Sequence, residues 1–309
     1  MISRRNIRVK VMQLLYVLET LEQDAPMKNP VAQLDAALDK TKELFVYLLY
    51  FLGEVARYAE SDALARSSKL LPNAQDLNVN IKIAGNDFIW HLLENKSFQK
   101  ALETYQPVHK MDRDLLKKIY LRLTETPEYQ AYVLAESREK PQEKAIIQLI
   151  FTQLMLPDES FIAHIEELFS NWDDDADMMD QMVLAFISKA KNTNLDQLMN
   201  DDKWSFARNL LRTTIEKKEY CAELITPKLK NWDADRIANL DMILMRMGIC
   251  ELLYFETIPT KVTLNEYIDL AKDYSTAQSG QFVNGILDGI HKDLLSQGKI
   301  QKVNFSKSL

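Results

Sequence analysis

The chain has 309 residues, 47% of them hydrophobic, which is enough for one large domain or two smaller ones with a substantial core. Only 7 residues are glycine, which disfavours glycine-rich phosphate loops and turn-dense β architectures. The net charge of −7 argues against nucleic-acid binding, but residues 156–202 alone carry −10, which leaves +3 for the remainder. The first thirteen residues contain four basic side chains and no acid.

Helical periodicity dominates the chain and predicts an all-α fold. A first helix is expected from Ser3, as N-cap, to Glu22, and a long second helix over residues 31–66. Residues 77–83 alternate as in a strand, without an obvious partner strand. Further helices are predicted over residues 87–105, 112–124, 127–137, 141–155, 159–170, 178–189, 204–221 and 233–255, and two short ones begin at a Thr263/Glu266 capping box and near Ser279.

The longest apolar stretch, residues 44–52, has nine residues, whereas a membrane span needs about 20. The basic N-terminus leads into Glu19 and Glu22 rather than into a cleavage site for a signal peptide. Cys221 and Cys250 lie within apolar helical patterns and are interpreted as reduced, buried thiols. We therefore expect a cytoplasmic protein without a membrane segment.

The acidic run at residues 173–177 does not match a calcium-binding loop. Such a loop needs glycine at its sixth position and glutamate at its twelfth, where Met178 and Leu184 stand. The run is interpreted as a solvated loop that also caps the next helix. The four histidines are far apart, and no nucleophile or nucleotide-binding motif occurs. We expect no metal site, no cofactor, no small-molecule substrate and no enzymatic activity.

The basic start of the first helix allows two interpretations. Arg4 and Arg8 are one turn apart, so both guanidinium groups could reach neighbouring phosphates of single-stranded RNA. Alternatively, they form a solvated helix end, although positive charge there opposes the helix dipole. Charge alone leaves both interpretations open.

Several sequence blocks resemble the signature of the NusB family, in the family's order and spacing. They are RRNIR (4–8) with QLLY (13–16), NWDADRI (231–237), LDMILMRM (240–247) with EL (251–252), IPTKVTLNE (258–266) with IDLAK (268–272), and FVNGILD (282–288). The resemblance covers about residues 1–25 and 200–295. Ile7 and Val9 depart from it, because the family has alanine and glutamate around its arginines.

The resemblance implies a pair of helical bundles that binds boxA-type RNA together with the small-subunit ribosomal protein NusE, in the transcription elongation complex. It implies that Arg4, Arg5 and Arg8 contact RNA phosphates and that Lys261 and Phe282 lie on the RNA face. Tyr16 and Asp241 match positions at the partner interface. Phe282 could instead be a core residue, and so could Tyr16.

Three residues within these blocks also have structural interpretations. Arg246 and Glu251 stand in a mostly apolar helix and are expected to form buried or half-buried ion pairs. Gly285 within a helix predicts close approach of a neighbouring element.

The expected domain organisation is NusB-like N-terminal helices over residues 1–60, a helical insertion of unknown role over 61–199, a C-terminal NusB-like bundle over 200–296 and a basic flexible tail over 297–309. The leading functional hypothesis is an RNA-binding antitermination factor acting in ribosomal RNA transcription. A protein-interaction scaffold that has lost RNA binding is the alternative. A third hypothesis, the recognition domain of an RNA-modifying enzyme, requires a catalytic domain, for which the sequence shows no glycine-rich cofactor loop.

Overall fold

The computed structural model describes residues 1–20, 29–229 and 237–303. Within these ranges the chain forms helices and turns and no strand, so the all-α prediction is confirmed. The helices are α1 (Arg4–Thr20), α2 (Pro30–Ser67), α3 (Ala74–Leu77), α4 (Asp87–Glu94), α5 (Lys96–Tyr105), α6 (Arg113–Glu125), α7 (Pro127–Leu134), α8 (Lys140–Leu149), α9 (Glu159–Leu168), α10 (Trp172–Lys189), α11 (Asp201–Glu216), α12 (Lys218–Ile225), α13 (Asn239–Tyr254), α14 (Thr260–Tyr274) and α15 (Ser279–Ser296). A π-helical stretch, Ile150–Met155, continues α8.

The chain divides into two compact units. Unit 1 comprises Asp39–Leu198 together with Met1, and unit 2 comprises Ile2–Leu38 and Met199–Leu309. The boundary at residue 60 that the sequence suggested falls inside α2, a single helix of 38 residues. That the middle of the chain is an insertion into a NusB-like fold stays a prediction.

The apolar stretch at residues 44–52 forms the centre of unit 1. Phe45 and Phe51 are buried, and their rings contact Phe186 of α10 and Phe161 of α9 at centroid distances of 6.0 and 5.0 Å. A helix that is apolar on all sides is expected to lie in a core. Among the described residues no single helix has the length and apolar content of a membrane span, and one bent helix pair, Lys140–Met155 with Glu159–Leu168, passes the same test only in combination.

The acidic run at residues 173–177 lies within the first turns of α10, so its interpretation as a loop is wrong. Asp175 is fully buried and accepts hydrogen bonds from the Thr41 hydroxyl at 2.8 Å and the Asn171 amide at 2.6 Å. Carboxylates in the first turn of a helix are stabilised by its dipole and by free backbone N–H groups. The sequence pattern missed this favourable placement.

The strand-like alternation at residues 77–83 is also not a strand. Leu77 ends α3, and Lys82–Gly85 form a 3₁₀ turn. The Lys82 ammonium donates to the backbone carbonyls of Tyr132, Ala135 and Ser137 at 2.7, 2.7 and 3.0 Å. Hydrogen bonds from the Lys82 side chain to the end of α7 therefore hold this segment in place, instead of the backbone hydrogen bonds of a strand.

Helix α13 forms the centre of unit 2, where α1, α11, α12, α14 and α15 pack against it. The Cys221 and Cys250 sulfurs, on α12 and α13, are buried and 3.7 Å apart, which confirms the prediction that both thiols lie in the core.

Gly248 permits close packing in unit 2, whereas Gly285 does not. A side chain at Gly248 would lie 3.1 Å from Leu287 and 3.3 Å from Tyr267, whereas at Gly285 it would meet nothing within 4 Å. The predicted close approach at Gly285 is therefore wrong, because that position faces outward from α15.

The basic segment after α15 contacts the end of α13. The Lys302 ammonium donates to the carbonyls of Glu251 at 2.9 Å and Phe255 at 2.8 Å, and the Val303 N–H donates to the Glu256 carbonyl. Carbonyls in the last turn of a helix lack partners within it, so a lysine there stabilises the end. Lys307, part of the predicted flexible tail, lies outside the described residues.

Candidate nucleic-acid and partner interface

The start of α1 is stabilised by Ser3, whose hydroxyl accepts a hydrogen bond from the Asn6 backbone N–H at 3.1 Å. The predicted N-cap is thereby confirmed. Arg4 and Arg5 lie in the first turn, at the positive end of the helix dipole, and the first turn contains no acidic residue that would offset their charge. The three arginines of α1 nevertheless have different environments.

Arg8 is buried, with 2% of its side chain exposed. Its guanidinium donates to both carboxylate oxygens of Glu251, from Nε at 2.9 Å and Nη2 at 2.8 Å, and from Nη1 to Glu266 at 3.1 Å. Burial opposes the charged form, but the hydrogen bonds and charge of Glu251 raise the pKa of Arg8 above its ordinary value. The guanidinium predicted to contact RNA is therefore occupied by carboxylates of α13 and α14.

Two hydroxyl groups of α14 complete the hydrogen bonding of Glu251. Thr263 Oγ1 donates at 2.9 Å and Tyr267 Oη at 3.0 Å, and burial raises the pKa of Tyr267. The expected capping box at Thr263 and Glu266 is wrong, because α14 begins one turn earlier and uses both side chains to surround Arg8 and Glu251. The interpretation of Glu251 as a member of a buried ion pair is confirmed.

Arg5 and Arg4 are more accessible than Arg8. Arg5 is partly exposed and its guanidinium donates to Asp273 at 2.5 Å. Arg4 is exposed, and its guanidinium lies 5.5 Å from the centre of the Phe206 ring of α11. Arg4 forms no ion pair with any residue in the described part of the chain. Of the three arginines, Arg4 is therefore the one whose positive charge is least neutralised by carboxylates.

Lys261 and Phe282, the other predicted RNA-binding residues, lie near opposite ends of α14. Lys261 is exposed in the first turn of α14, whereas Phe282 is 7% exposed in the first turns of α15, which begin beside the end of α14. The separation along α14 is about 16 Å, so the structure does not bring the two together. The burial of Phe282 agrees with its alternative interpretation as a core residue, and base stacking stays a prediction.

The two predicted partner-binding residues lie on α1 and α13. Tyr16 is 44% exposed. Asp241 is 4% exposed, and its Oδ2 accepts a hydrogen bond from Ser279 Oγ at 2.7 Å. Its Oδ1 is buried and has no hydrogen-bond partner among the described residues. A buried acceptor without a partner is costly, so a donor from another molecule would stabilise it.

Arg246 connects the same parts of α1 and α13. It is 5% exposed and lies 2.6 Å from a carboxylate oxygen of Glu19, which confirms the predicted ion pair. Burial opposes ionisation of Glu19, but hydrogen bonds and charge from Arg246 and Lys218 hold its pKa below the ordinary value. The half of α1 that carries Tyr16 therefore lies alongside the half of α13 that carries Asp241.

The sequence prediction did not include α11 among the helices that contact the arginines of α1. Phe206 lies beneath the guanidinium groups of both Arg4 and Arg8, each 5.5 Å from the ring centre. No block assigned to the RNA face includes this helix, and an aromatic residue in a helical core pattern gives no separate signal. Residues 231–236 of the block NWDADRI lie outside the described residues, as does Glu22.

The sequence comparisons identify relatives of part of this chain. The NusB family profile matches residues 162–292. The chain is 40% identical over 113 residues to the transcription antitermination protein NusB of Methylacidiphilum infernorum, an alignment that covers 33% of this chain and 78% of that protein. The chain belongs to the NusB family.

Other NusB proteins show the same pattern. The transcription antitermination protein NusB of Salinibacter ruber is 46% identical over 97 residues, which are 31% of this chain and 61% of that protein. That of Finegoldia magna is 38% identical over 96 residues, 31% of this chain and 70% of the relative. The chain thus spans about two thirds of these NusB proteins, while about two thirds of its own length lies outside the alignments. No solved structure matches the chain.

Proposed function

We propose that this NusB-family chain is a non-catalytic antitermination factor that binds boxA-type RNA with a small-subunit ribosomal protein, NusE, in the cytoplasmic transcription elongation complex. Membership of the family and the names of its relatives support this proposal. The observation that carries the RNA-binding part is the arginine-rich helix α1, which the Arg8–Glu251 pair holds against the NusB-like helices.

Within that proposal the arginines have different roles. Arg4 and Arg5 would contact phosphates, since their guanidinium groups reach the surface and phosphate contacts supply most of the affinity for nucleic acid. Lys261 would add a third contact at the start of α14. Arg8 would act through position, by holding α1 so that Arg4 and Arg5 face the RNA.

The partner-binding part of the proposal rests on Asp241. Its buried Oδ1 without a hydrogen-bond partner among the described residues would accept a hydrogen bond from a partner side chain or backbone N–H. Tyr16, on the neighbouring half of α1, offers an exposed ring with a hydroxyl group, a type of residue common at interfaces.

The RNA-binding proposal is tested by fluorescence anisotropy with a boxA-like RNA, NusE and the full chain at several salt concentrations. Replacing both Arg4 and Arg5 by alanine should weaken binding and reduce the salt slope by about 0.7 for each phosphate that the variant no longer neutralises. Arg113→Gln, at an exposed arginine of unit 1, is the matched control and should leave both unchanged. Wild-type affinity and slope in the double variant would overturn the phosphate contacts of Arg4 and Arg5, whereas a wild-type chain that does not bind the RNA would favour the scaffold alternative.

The NusE part of the proposal is tested separately by Asp241→Asn, which keeps the shape of the side chain and removes its charge. Calorimetric titration with NusE should show weaker binding, while the variant retains the wild-type melting temperature within about 3 °C. Unchanged affinity for NusE would exclude Asp241 from the interface.

A further inference from the structure

The RNA surface proposed for α1 has a neighbour that no sequence block indicated. Helix α11 packs against α1, and the guanidinium of Arg4 lies over the ring of Phe206, on the second turn of α11. Lys203 lies one turn before Phe206 and on the same side of the helix. Arg4 of α1 and Lys203 of α11 therefore lie next to one another.

The two positive charges affect each other. Burial and the charge of Arg4 lower the pKa of Lys203 below its ordinary value. Like charges held together in this way are stabilised when an anion binds between them, and the phosphate of a nucleic acid is such an anion.

Trp204, the next residue of α11, is half-buried and held in place by its neighbour. The Arg208 guanidinium lies 5.1 Å from the centre of the indole ring. Asp35 at the start of α2 accepts two hydrogen bonds from Arg208, at 3.0 and 2.9 Å, so the guanidinium has little freedom. The indole is therefore presented in one orientation beside an open groove.

That groove follows the outward stripe of α11 and contains several hydrogen-bond donors. It is lined by Asp201, Trp204, Ser205, Arg208, Asn209 and Arg212. Arg212 lies two turns after Trp204, is exposed, and makes no ion pair with any residue in the described ranges. Cations therefore lie on both sides of an accessible aromatic ring.

We infer that α11 supplies a second part of the RNA surface, in which Trp204 stacks on an unpaired base while Lys203 and Arg212 contact the phosphates on either side. This inference rests on the proposed RNA-binding function and extends it from α1 to α11. Stacking on an aromatic ring between basic residues is how proteins hold single-stranded nucleic acid without strict sequence selection.

An acidic protein segment is a weaker fit to this surface. Asp201 and Asp202, exposed in the first turn of α11, would repel a run of carboxylates. A single strand of RNA places its charges several ångströms apart and can pass these two side chains between separate phosphate contacts. The indole ring also offers a stacking surface that an acidic side chain does not use.

The test uses the full chain with NusE and a fluorescent boxA-like RNA extended by six nucleotides at each end. Trp204→Ala should weaken binding about tenfold, the loss typical of one stacked base, and Trp204→Phe should restore most of it. Lys203→Gln combined with Arg212→Gln should reduce the salt slope by about 1.4, the value for two phosphates on a single strand. Trp90→Ala and Arg113→Gln, at an exposed tryptophan and an exposed arginine of unit 1, should change neither quantity.

The outcomes separate this inference from the proposal beneath it. If the wild-type chain fails to bind the RNA, the proposed function is wrong. If the wild-type chain binds and loss of Arg4 and Arg5 weakens it, but the α11 variants bind as tightly as wild type, only the inference about α11 is wrong. Circular dichroism must show native helix content in each variant. The charge variants decide the matter if Trp204→Ala unfolds, because they alter exposed or half-buried side chains.

Discussion

Glu143 in unit 1 and Glu251 in unit 2 are both buried, and their carboxylates are hydrogen-bonded in different ways. Glu251 in unit 2 is fully buried and faces a charged partner, Arg8, with hydroxyls from Thr263 and Tyr267. Glu143 in unit 1 is 3% exposed and faces mainly neutral donors. These are the Tyr132 hydroxyl at 2.7 Å and the Asp87 backbone N–H at 2.9 Å, with the Arg138 guanidinium more distant at 3.4 Å.

The difference shows what each buried carboxylate connects. Glu251 joins α13 to α1, across 243 positions of the chain, and so ties the arginine-rich helix to the C-terminal bundle. Glu143 bonds to groups no more than 56 positions away and stabilises the packing of α8 against its neighbours. The carboxylate in unit 2 therefore supports the proposed interface, whereas that in unit 1 supports a local core.

The largest effect is expected for Arg8→Ala. It leaves the Glu251 carboxylate buried without its charged partner, which typically costs about 3–5 kcal/mol in the free energy of unfolding. Urea denaturation followed by circular dichroism measures this loss. Arg8→Lys should recover only part of it, because an ammonium cannot form the two parallel hydrogen bonds. A loss below about 1 kcal/mol would show that the buried pair does not hold α1 in place.

A smaller effect is expected for Glu143→Gln in unit 1. The amide keeps the shape of the side chain and one acceptor, but its NH₂ group faces donors, so a loss of about 1–3 kcal/mol is expected. The matched substitution in unit 2, Glu251→Gln, should cost more, because it leaves Arg8 charged and buried. Equal losses of stability in the two variants would contradict the distinction between Glu251, which pairs with a charged group, and Glu143, which accepts hydrogen bonds mainly from neutral donors.

The Glu19–Arg246 pair should make the stability of unit 2 depend on pH. Since the folded state holds the pKa of Glu19 below its ordinary value of 4.5, the pair contributes fully above that value. Its contribution is lost as the pH falls through the lower pKa of the folded state. Glu19→Gln should lower stability by about 1–2 kcal/mol at neutral pH and less at pH 3. If Glu19→Gln lowered the free energy of unfolding by the same amount at pH 7 and at pH 3, the pair would be excluded as a source of acid sensitivity.

The sequence predicted the helical class and predicted that Arg246 and Glu251 each form an ion pair, because charged residues in an apolar helix require partners. It did not predict that Arg8 is the partner of Glu251, since a basic residue near a helix start has the same pattern whether buried or exposed. Helix starts were predicted well at Ser3 and Ser279 and poorly at Thr263. Thr263 and Glu266 satisfy the capping-box spacing, but their contacts with Glu251 and Arg8 are long-range. Spacing along the chain carries no information about such contacts.

The smallest effect on stability is expected for Arg5→Ala. Its pair with Asp273 is largely exposed to solvent, and such pairs contribute between about 0 and 1 kcal/mol because salt and water screen them. Thermal unfolding should therefore leave Arg5→Ala close to wild type, in contrast to Arg8→Ala on the same helix. Asp273→Asn, which releases the Arg5 guanidinium without removing it, should likewise leave stability unchanged but should tighten RNA binding if Arg5 contacts a phosphate. Weaker RNA binding in Asp273→Asn would instead mean that Asp273 positions Arg5 for its contact. A loss of stability in Arg5→Ala as large as that in Arg8→Ala would contradict the assignment of Arg5 as a surface residue and Arg8 as a structural one.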